Sequence, residues 1–198
     1  MEIKFSKIEI RDLAKAWIVI SIAFAIVLSR AAFGLDFFLN FILAAITVGT
    51  GFLFHELGHK VVAQRYGCFA EFRADNQMLF LAVIISFLGV IFAAPGAVMI
   101  AGRVSKKRNG LISIAGPVVN IVFAISFMIG TFFVTEGFVA KIFAFGFLIN
   151  AWLALFNLIP FWILDGKKVW NWSKVAWSVA TLVAVAFVVL SSQVPLNI

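Results

Sequence analysis

The stretch FFLNFILAAITVGTGFLFHELGH, Phe37 to His59, carries no charge before Glu56 and is long enough to cross a bilayer core as a helix, which takes about 20 residues. Its last five residues, His55-Glu56-Leu57-Gly58-His59, hold both histidines of the chain. On a helix, positions i and i+4 share one face, so the two imidazoles can close on one metal ion while Glu56 stands one position on. A short motif also arises by chance, and a histidine on an apolar helix is often a satisfied core residue. Chance fits poorly, because a glutamate and two histidines among Phe, Leu, Ile, Val, Ala, Gly and Thr are each costly to desolvate. The spacing implies one zinc ion held by His55 and His59, with Glu56 as a general base for hydrolysis.

The rest of the composition agrees with a membrane setting. Of 198 residues, 64% are hydrophobic, against 45–50% in soluble domains, and the mean hydropathy is +1.11. The net charge of +7 does not imply nucleic acid, because the sixteen Lys and Arg fall at the ends of apolar segments, where they meet lipid headgroups. One cysteine, Cys68, excludes an intrachain disulfide and offers no metal spacing. The N-terminus has acidic residues among its basic ones and no small-residue cleavage site, so it reads as retained. The expectation is a single domain over 1–198 without an appended soluble part, its core at 37–166, an N-terminal helix at 14–33 and a C-terminal helix at 174–192.

Six apolar stretches are legible: Ala16 to Ser29, Phe37 to His59, Met78 to Gly102, Leu111 to Val134, Phe138 to Ile163, and Val175 to Ser192. The third admits two readings. If it spans, the cluster Arg103, Lys106, Lys107, Arg108 and the loop with Lys167, Lys168 and Lys174 move outside, against the positive-inside rule. If it enters and returns, every basic-rich loop is cytoplasmic. Pro95-Gly96 divides it unevenly: Met78 to Ala94 as helix rises roughly 25 Å, and about eight extended residues descend a similar distance. Extended backbone at membrane depth has to be paired or face a wet cavity, so it should border the active-site chamber. The fold class is therefore an all-α polytopic membrane protein with five or six transmembrane helices around a zinc site and a re-entrant helix plus short extended segment near 78–103.

Two histidines leave a catalytic zinc one protein ligand short. Among the other acidic residues, Glu2, Glu9, Asp12, Asp36, Glu71, Asp75 and Glu136 fall in loops or tails, whereas Asp165 ends the fifth apolar stretch. With a re-entrant third stretch, two crossings separate the motif helix from Asp165, and both reach the same membrane face.

Three patches in this order, His55-Glu-Leu-Gly-His59, Ala115-Gly-Pro-Val-Val-Asn120, and Asn157-Leu-Ile-Pro160 leading to Leu164-Asp165-Gly166, resemble the site-2 protease family of intramembrane zinc metalloproteases. The resemblance covers Gly51 to Gly166. It implies that Asp165 completes the metal site with His55 and His59, that Glu56 is catalytic, and that Asn157 lies near the metal as a substrate or oxyanion contact. Phe161-Trp162-Ile163 and Lys167 depart from the family pattern, in which many relatives carry a further Pro before Leu-Asp-Gly and a second Gly after it. Asn120 also reads as an interhelical hydrogen-bonding link, and Gly116-Pro117 as a kink or close-packing point. Trp170 and Trp172 suit an aromatic belt.

The expected function is zinc-dependent endoproteolysis within transmembrane helices of other membrane proteins, with the N-terminus and active site on the cytoplasmic side of the cell membrane. Partners are then a transmembrane-helix substrate and the lipid bilayer, with no nucleic acid and an undetermined oligomeric state. The competing class is a non-enzymatic multi-pass metal-binding or ion-transport protein, in which His55, Glu56, His59 and Asp165 line an ion path. Transporters often show internal duplication. This chain has breaks and no duplication.

Overall fold

A computed structural model describes residues 3–29, 34–91 and 95–195. The described residues are 75% helical, with five helices of membrane-crossing length and one small sheet among them. In order these are α1 (Lys7–Ser29), α2 (Leu35–Ala44), a π-helical turn (Ala45–Gly49), α3 (Thr50–Arg65), β1 (Phe69–Ala74), α4 (Asn76–Ser86), β2 (Gly96–Ala101), α5 (Lys106–Phe133), α6 (Gly137–Asn157), α7 (Asp165–Trp172) and α8 (Lys174–Ser191). The second span is the continuous run from α2 through α3, Leu35–Arg65. Its π turn is held from outside: Trp17 Nε1 of α1 donates to Ala45 O at 3.0 Å, and the indole packs where a side chain at Gly49 would stand. An inserted turn of this kind rotates the helical segment beyond it, here the one that bears the motif.

The third apolar stretch does not cross. α4 has 11 residues, about 17 Å of helix, well short of a bilayer core of about 30 Å. It also ends earlier than the Met78-to-Ala94 helix expected from composition. Phe87, Leu88 and Gly89 form a turn with Gly89 at φ 78°, and residues 92–94 lie outside the described region. The chain returns as β2, antiparallel to β1 from Phe69↔Ala101 to Ala74↔Gly96, and Asp75 N donates to Pro95 O at 3.0 Å. The way in and the way out therefore touch. Gly96, at φ 152°, has the backbone of Arg73 and Ala74 where a Cβ would stand, so the return requires glycine there.

Two sequence expectations are corrected on α1. Its helix begins at Lys7, not at residue 14, and Glu9 and Asp12 are buried helix residues rather than parts of a tail. The reason is the sheet. Glu9 Oε1 accepts from Phe72 N at 2.9 Å, Asp12 Oδ2 accepts from Ala74 N at 3.3 Å, and the Glu9 carboxylate is paired with the buried Lys60 ammonium of α3. Lys60, counted from sequence among loop cations, is enclosed and unavailable to headgroups. Around these polar contacts Leu13, Ala16, Phe72 and Leu79 form an apolar cluster joining α1, β1 and α4.

Trp170 and Trp172 are both half-buried. Trp170 meets Trp177 edge-on with ring centroids 4.7 Å apart, and Trp172 packs on Gly110 of α5. They dock α7 onto α5 and α8. Apolar side chains left exposed on the spans, among them Val122, Trp152 and Leu182, are suited to lipid.

Candidate metal centre

α3 presents His55 and His59 one turn apart, both buried, toward α5. Small residues make that approach possible. A Cβ on Gly58 would stand 3.1 Å from Ala115 O, and one on Gly116 would stand 2.5 Å from the Nε2 atoms of both histidines. Gly116 thus faces the two imidazoles with a hollow that any other residue would fill, so the Gly-Pro patch is a close-packing point at the site itself.

Asp165 arrives from the first turn of α7, after α5 and α6. Gly166 is needed there, because a Cβ would meet Ile159 O at 2.7 Å. The carboxylate Oδ2 lies 3.3 Å from His55 Nε2 and 3.0 Å from His59 Nε2, and the two Nε2 atoms are 3.0 Å apart. His55, His59 and Asp165 form the potential metal-binding group found among the described residues. Lys168 Nζ lies 3.8 Å from Asp165 Oδ1, on the outward side.

The donor set fits zinc. Ligands about 2.0–2.1 Å from a tetrahedral ion stand about 3.3 Å apart, close to the separations found. The proton inventory agrees. His59 Nδ1 lies 2.8 Å from Ile112 O, which can only accept, so the ring donates there and turns its Nε2 lone pair inward. His55 Nδ1 lies 2.6 Å from Asn120 Oδ1. Two nitrogen lone pairs and a carboxylate oxygen then face one another with no donor between them, an arrangement that a cation relieves.

Glu56 is buried on the neighbouring face of α3, and its Oε2 accepts from Val98 N of β2 at 3.0 Å. The base candidate therefore reaches the extended segment, which borders the site as expected. Asn157 is not joined to the group in this way: its Nδ2 donates back to Leu153 O at 2.9 Å. Asn120, read from sequence as an interhelical link, contacts a histidine and also donates from Nδ2 to Gly51 O and Asn150 Oδ1, both at 3.1 Å. Asn150 was not singled out from sequence, although a lone amide in an apolar span was the available signal. Glu9 was missed because it stands in the polar N-terminal segment, and Lys60 because it follows directly on the apolar run that ends at His59.

No family model and no solved structure matches the chain. A Methanocaldococcus jannaschii protein named "Putative zinc metalloprotease" is 38% identical over 187 residues, spanning 93% of this chain and 94% of the relative. Similarity of that degree over nearly the whole of both proteins, together with five membrane-length helices around a buried His-His-Asp group, places the chain in the family of that archaeal protein.

Proposed function

We propose that the chain is a site-2-type intramembrane zinc endopeptidase that hydrolyses peptide bonds in transmembrane helices of other proteins. The observation that carries this reading is the convergence of His55, His59 and Asp165 beside a glutamate that touches a strand edge. His55, His59 and Asp165 would hold the ion. Bound zinc would polarise the scissile carbonyl and acidify the attacking water. Glu56 takes the proton from that water and delivers it to the leaving amine. A helical peptide bond is protected by its own hydrogen bonds, so the substrate unwinds and pairs as a strand with the outer edge of β2, within Ala97 to Ala101. Its carbonyl then replaces Glu56 at Val98 N, which releases the carboxylate for proton transfer. Asn157 serves as a substrate or oxyanion contact once its amide turns from Leu153 O.

The N-terminus and the open side of the site face the cytoplasm, since the basic-rich loops then lie inside. Single cysteines at Gln77 and Asn109 in a Cys68→Ala background should both resist an impermeant thiol reagent from outside and react after permeabilisation.

The deciding experiment is cleavage of a model transmembrane substrate by purified protein, abolished by a zinc chelator and restored by zinc. Asp165→Ala should lower zinc occupancy sharply. Metal uptake by proteoliposomes without any cleavage would replace this reading with the transport one.

A further inference from the structure

The structure assigns Asn150, a residue of α6 outside the three sequence motifs, as a positioning residue that, together with Gly51 O, holds the tautomer of His55. The polarity of a chain of buried amides follows from its ends. Gly146 O can only accept, so Asn150 turns Nδ2 to it at 2.9 Å and leaves Oδ1 for Asn120 at 3.1 Å. Gly51 O can likewise only accept, so Asn120 turns Nδ2 toward Gly51 O and Asn150 Oδ1 and leaves Oδ1 for His55. His55 Nδ1 must then carry the proton, and the Nε2 lone pair points at His59 and Asp165. Reversing the Asn120 amide would put Nδ2 against His55 Nδ1 and its oxygen against two acceptors. The ring would then hold its proton on Nε2, where it cannot ligate.

Both amides are fully buried, so water cannot stand in for a lost partner. Gly51 takes part twice. Its carbonyl anchors Asn120, and its missing side chain makes room for Asn150, whose Cγ would lie 3.2 Å from a Cβ at Gly51 while its Oδ1 would be closer still. Three spans, α3, α5 and α6, are thereby tied to one proton position. The consequence for metal affinity rests on the zinc reading above, whereas the tautomer does not.

The chain has two histidines, which makes the test direct. The full chain, labelled with 15N-histidine and embedded in lipid bilayers without metal, is examined by solid-state NMR, which reads which ring nitrogen carries the proton. Wild type should show His55 protonated at Nδ1 only. Asn150→Leu should produce a population protonated at Nε2, and Asn150→Asp, whose carboxyl oxygen still accepts from Asn120 Nδ2, should return to the wild-type pattern. Gly51→Ala displaces the Asn150 amide without removing it and should act like Asn150→Leu, so it carries the test if that variant fails to fold. In chelator competition, Asn150→Leu and Gly51→Ala should bind zinc about 10–100-fold more weakly, with Asn150→Asp near wild type. His55 remaining wholly Nδ1-protonated in Asn150→Leu and Gly51→Ala overturns the assignment, even if their melting temperatures fall, because that is the result of a merely structural amide pair. Expected tautomers with no zinc bound to wild type would uphold the relay and remove the metal reading alone.

Discussion

The two edges of the β1–β2 sheet are each met by carboxylate, two groups on β1 and one on β2, and the surroundings differ. On the β1 edge, Glu9 and Asp12 accept from Phe72 N and Ala74 N, and Gln64 Nε2 donates to Ala70 O. Glu9 is held in turn by buried Lys60, so this edge is closed by a fixed arrangement. On the β2 edge, Glu56 accepts from Val98 N, the residue opposite Phe72. Among the described residues no lysine pairs with Glu56 there, and it stands next to the candidate metal ligand His55 in sequence. One edge is closed by a carboxylate paired with a buried ammonium, and the other is met by a carboxylate without such a pair among the described residues. A free strand edge inside a membrane protein is otherwise a cost, since its backbone groups lack water. On the proposed function, the difference between the edges marks the β2 side as the one at which an extended substrate segment would be received.

The largest expected effect lies on the exchangeable side. Glu56→Gln keeps an oxygen for Val98 N but cannot take a proton, so peptide hydrolysis should fall by about 10²–10⁴-fold while zinc stays bound, because Glu56 is not a ligand. Zinc stoichiometry and turnover of the purified variant check this. Near-native turnover would make the two edges chemically equivalent.

On the fixed side the effect should be on stability. Glu9→Ala leaves buried Lys60 without its carboxylate, with the centroid of the Phe5 ring 3.8 Å from Nζ, and Phe72 N without an acceptor, a loss of about 3–5 kcal/mol by comparison with other broken buried pairs. Replacing both, Glu9→Met with Lys60→Met, should recover most of that loss, since well-packed apolar residues often match a buried ion pair. The remainder reports the orphaned Phe72 N–H, about 1–3 kcal/mol. Denaturant titration of the three variants would sink the closed-edge account if the double variant were no better than Glu9→Ala.

Proline can be used to compare the edges at equivalent ladder positions. Val98 N points away from the ladder, so Val98→Pro should fold and lower kcat/KM by about fivefold, the worth of one exchanged hydrogen bond near 1 kcal/mol. Phe72→Pro removes a large enclosed side chain as well as the Glu9 contact and should not accumulate as folded protein. Val98→Pro with unchanged kinetics would mean that substrate does not use this edge.

Much of this arrangement was legible in the sequence, and the misses share a physical pattern. His55, Glu56 and His59 announce themselves because ionisable residues inside an apolar run have few structural uses, and Asp165 stands out by its position at the end of the fifth apolar stretch, with parity in support and its ligand role implied by the family resemblance. The return itself was readable from the Arg103–Arg108 cluster and Pro95-Gly96. Helix length was not, because the turn at 87–89 uses Gly89 within a segment that is apolar throughout. Glu9, Asp12 and Lys60 were hidden for the opposite reason. In a polar terminus, or directly after an apolar run, a charge is unremarkable, and only the sheet folded against α1 turns those side chains inward. Asn150 was obscured by a local explanation, the ordinary back-bond of a helix asparagine, which it does make while its oxygen is engaged elsewhere.

The smallest effect concerns the outward face of the closed edge. Glu71 accepts from the Ser6 hydroxyl and from Arg73 Nη2 at 2.7 Å, and these hydrogen bonds, that from Ser6 first, hold its carboxyl below the ordinary value of 4.5. A carboxyl lowered in the folded state contributes stability that is fully present above its unfolded value and is lost as pH falls through the folded one. Ser6→Ala removes the larger cause, so the variant should melt slightly below wild type at neutral pH, and the gap should narrow as the pH drops below 4.5 to the part that Ser6 Oγ contributes by accepting from Glu9 N at 3.1 Å at the start of α1. The contribution is modest, because the Arg73 partner is 38% exposed and solvent screens it. Melting temperatures of both proteins between pH 7 and pH 3 decide the matter. A gap that persists undiminished into acid would mean that Ser6 tethers the chain to β1 without regard to the charge on Glu71, and the closed edge would then owe its stability to Glu9 and Asp12 alone.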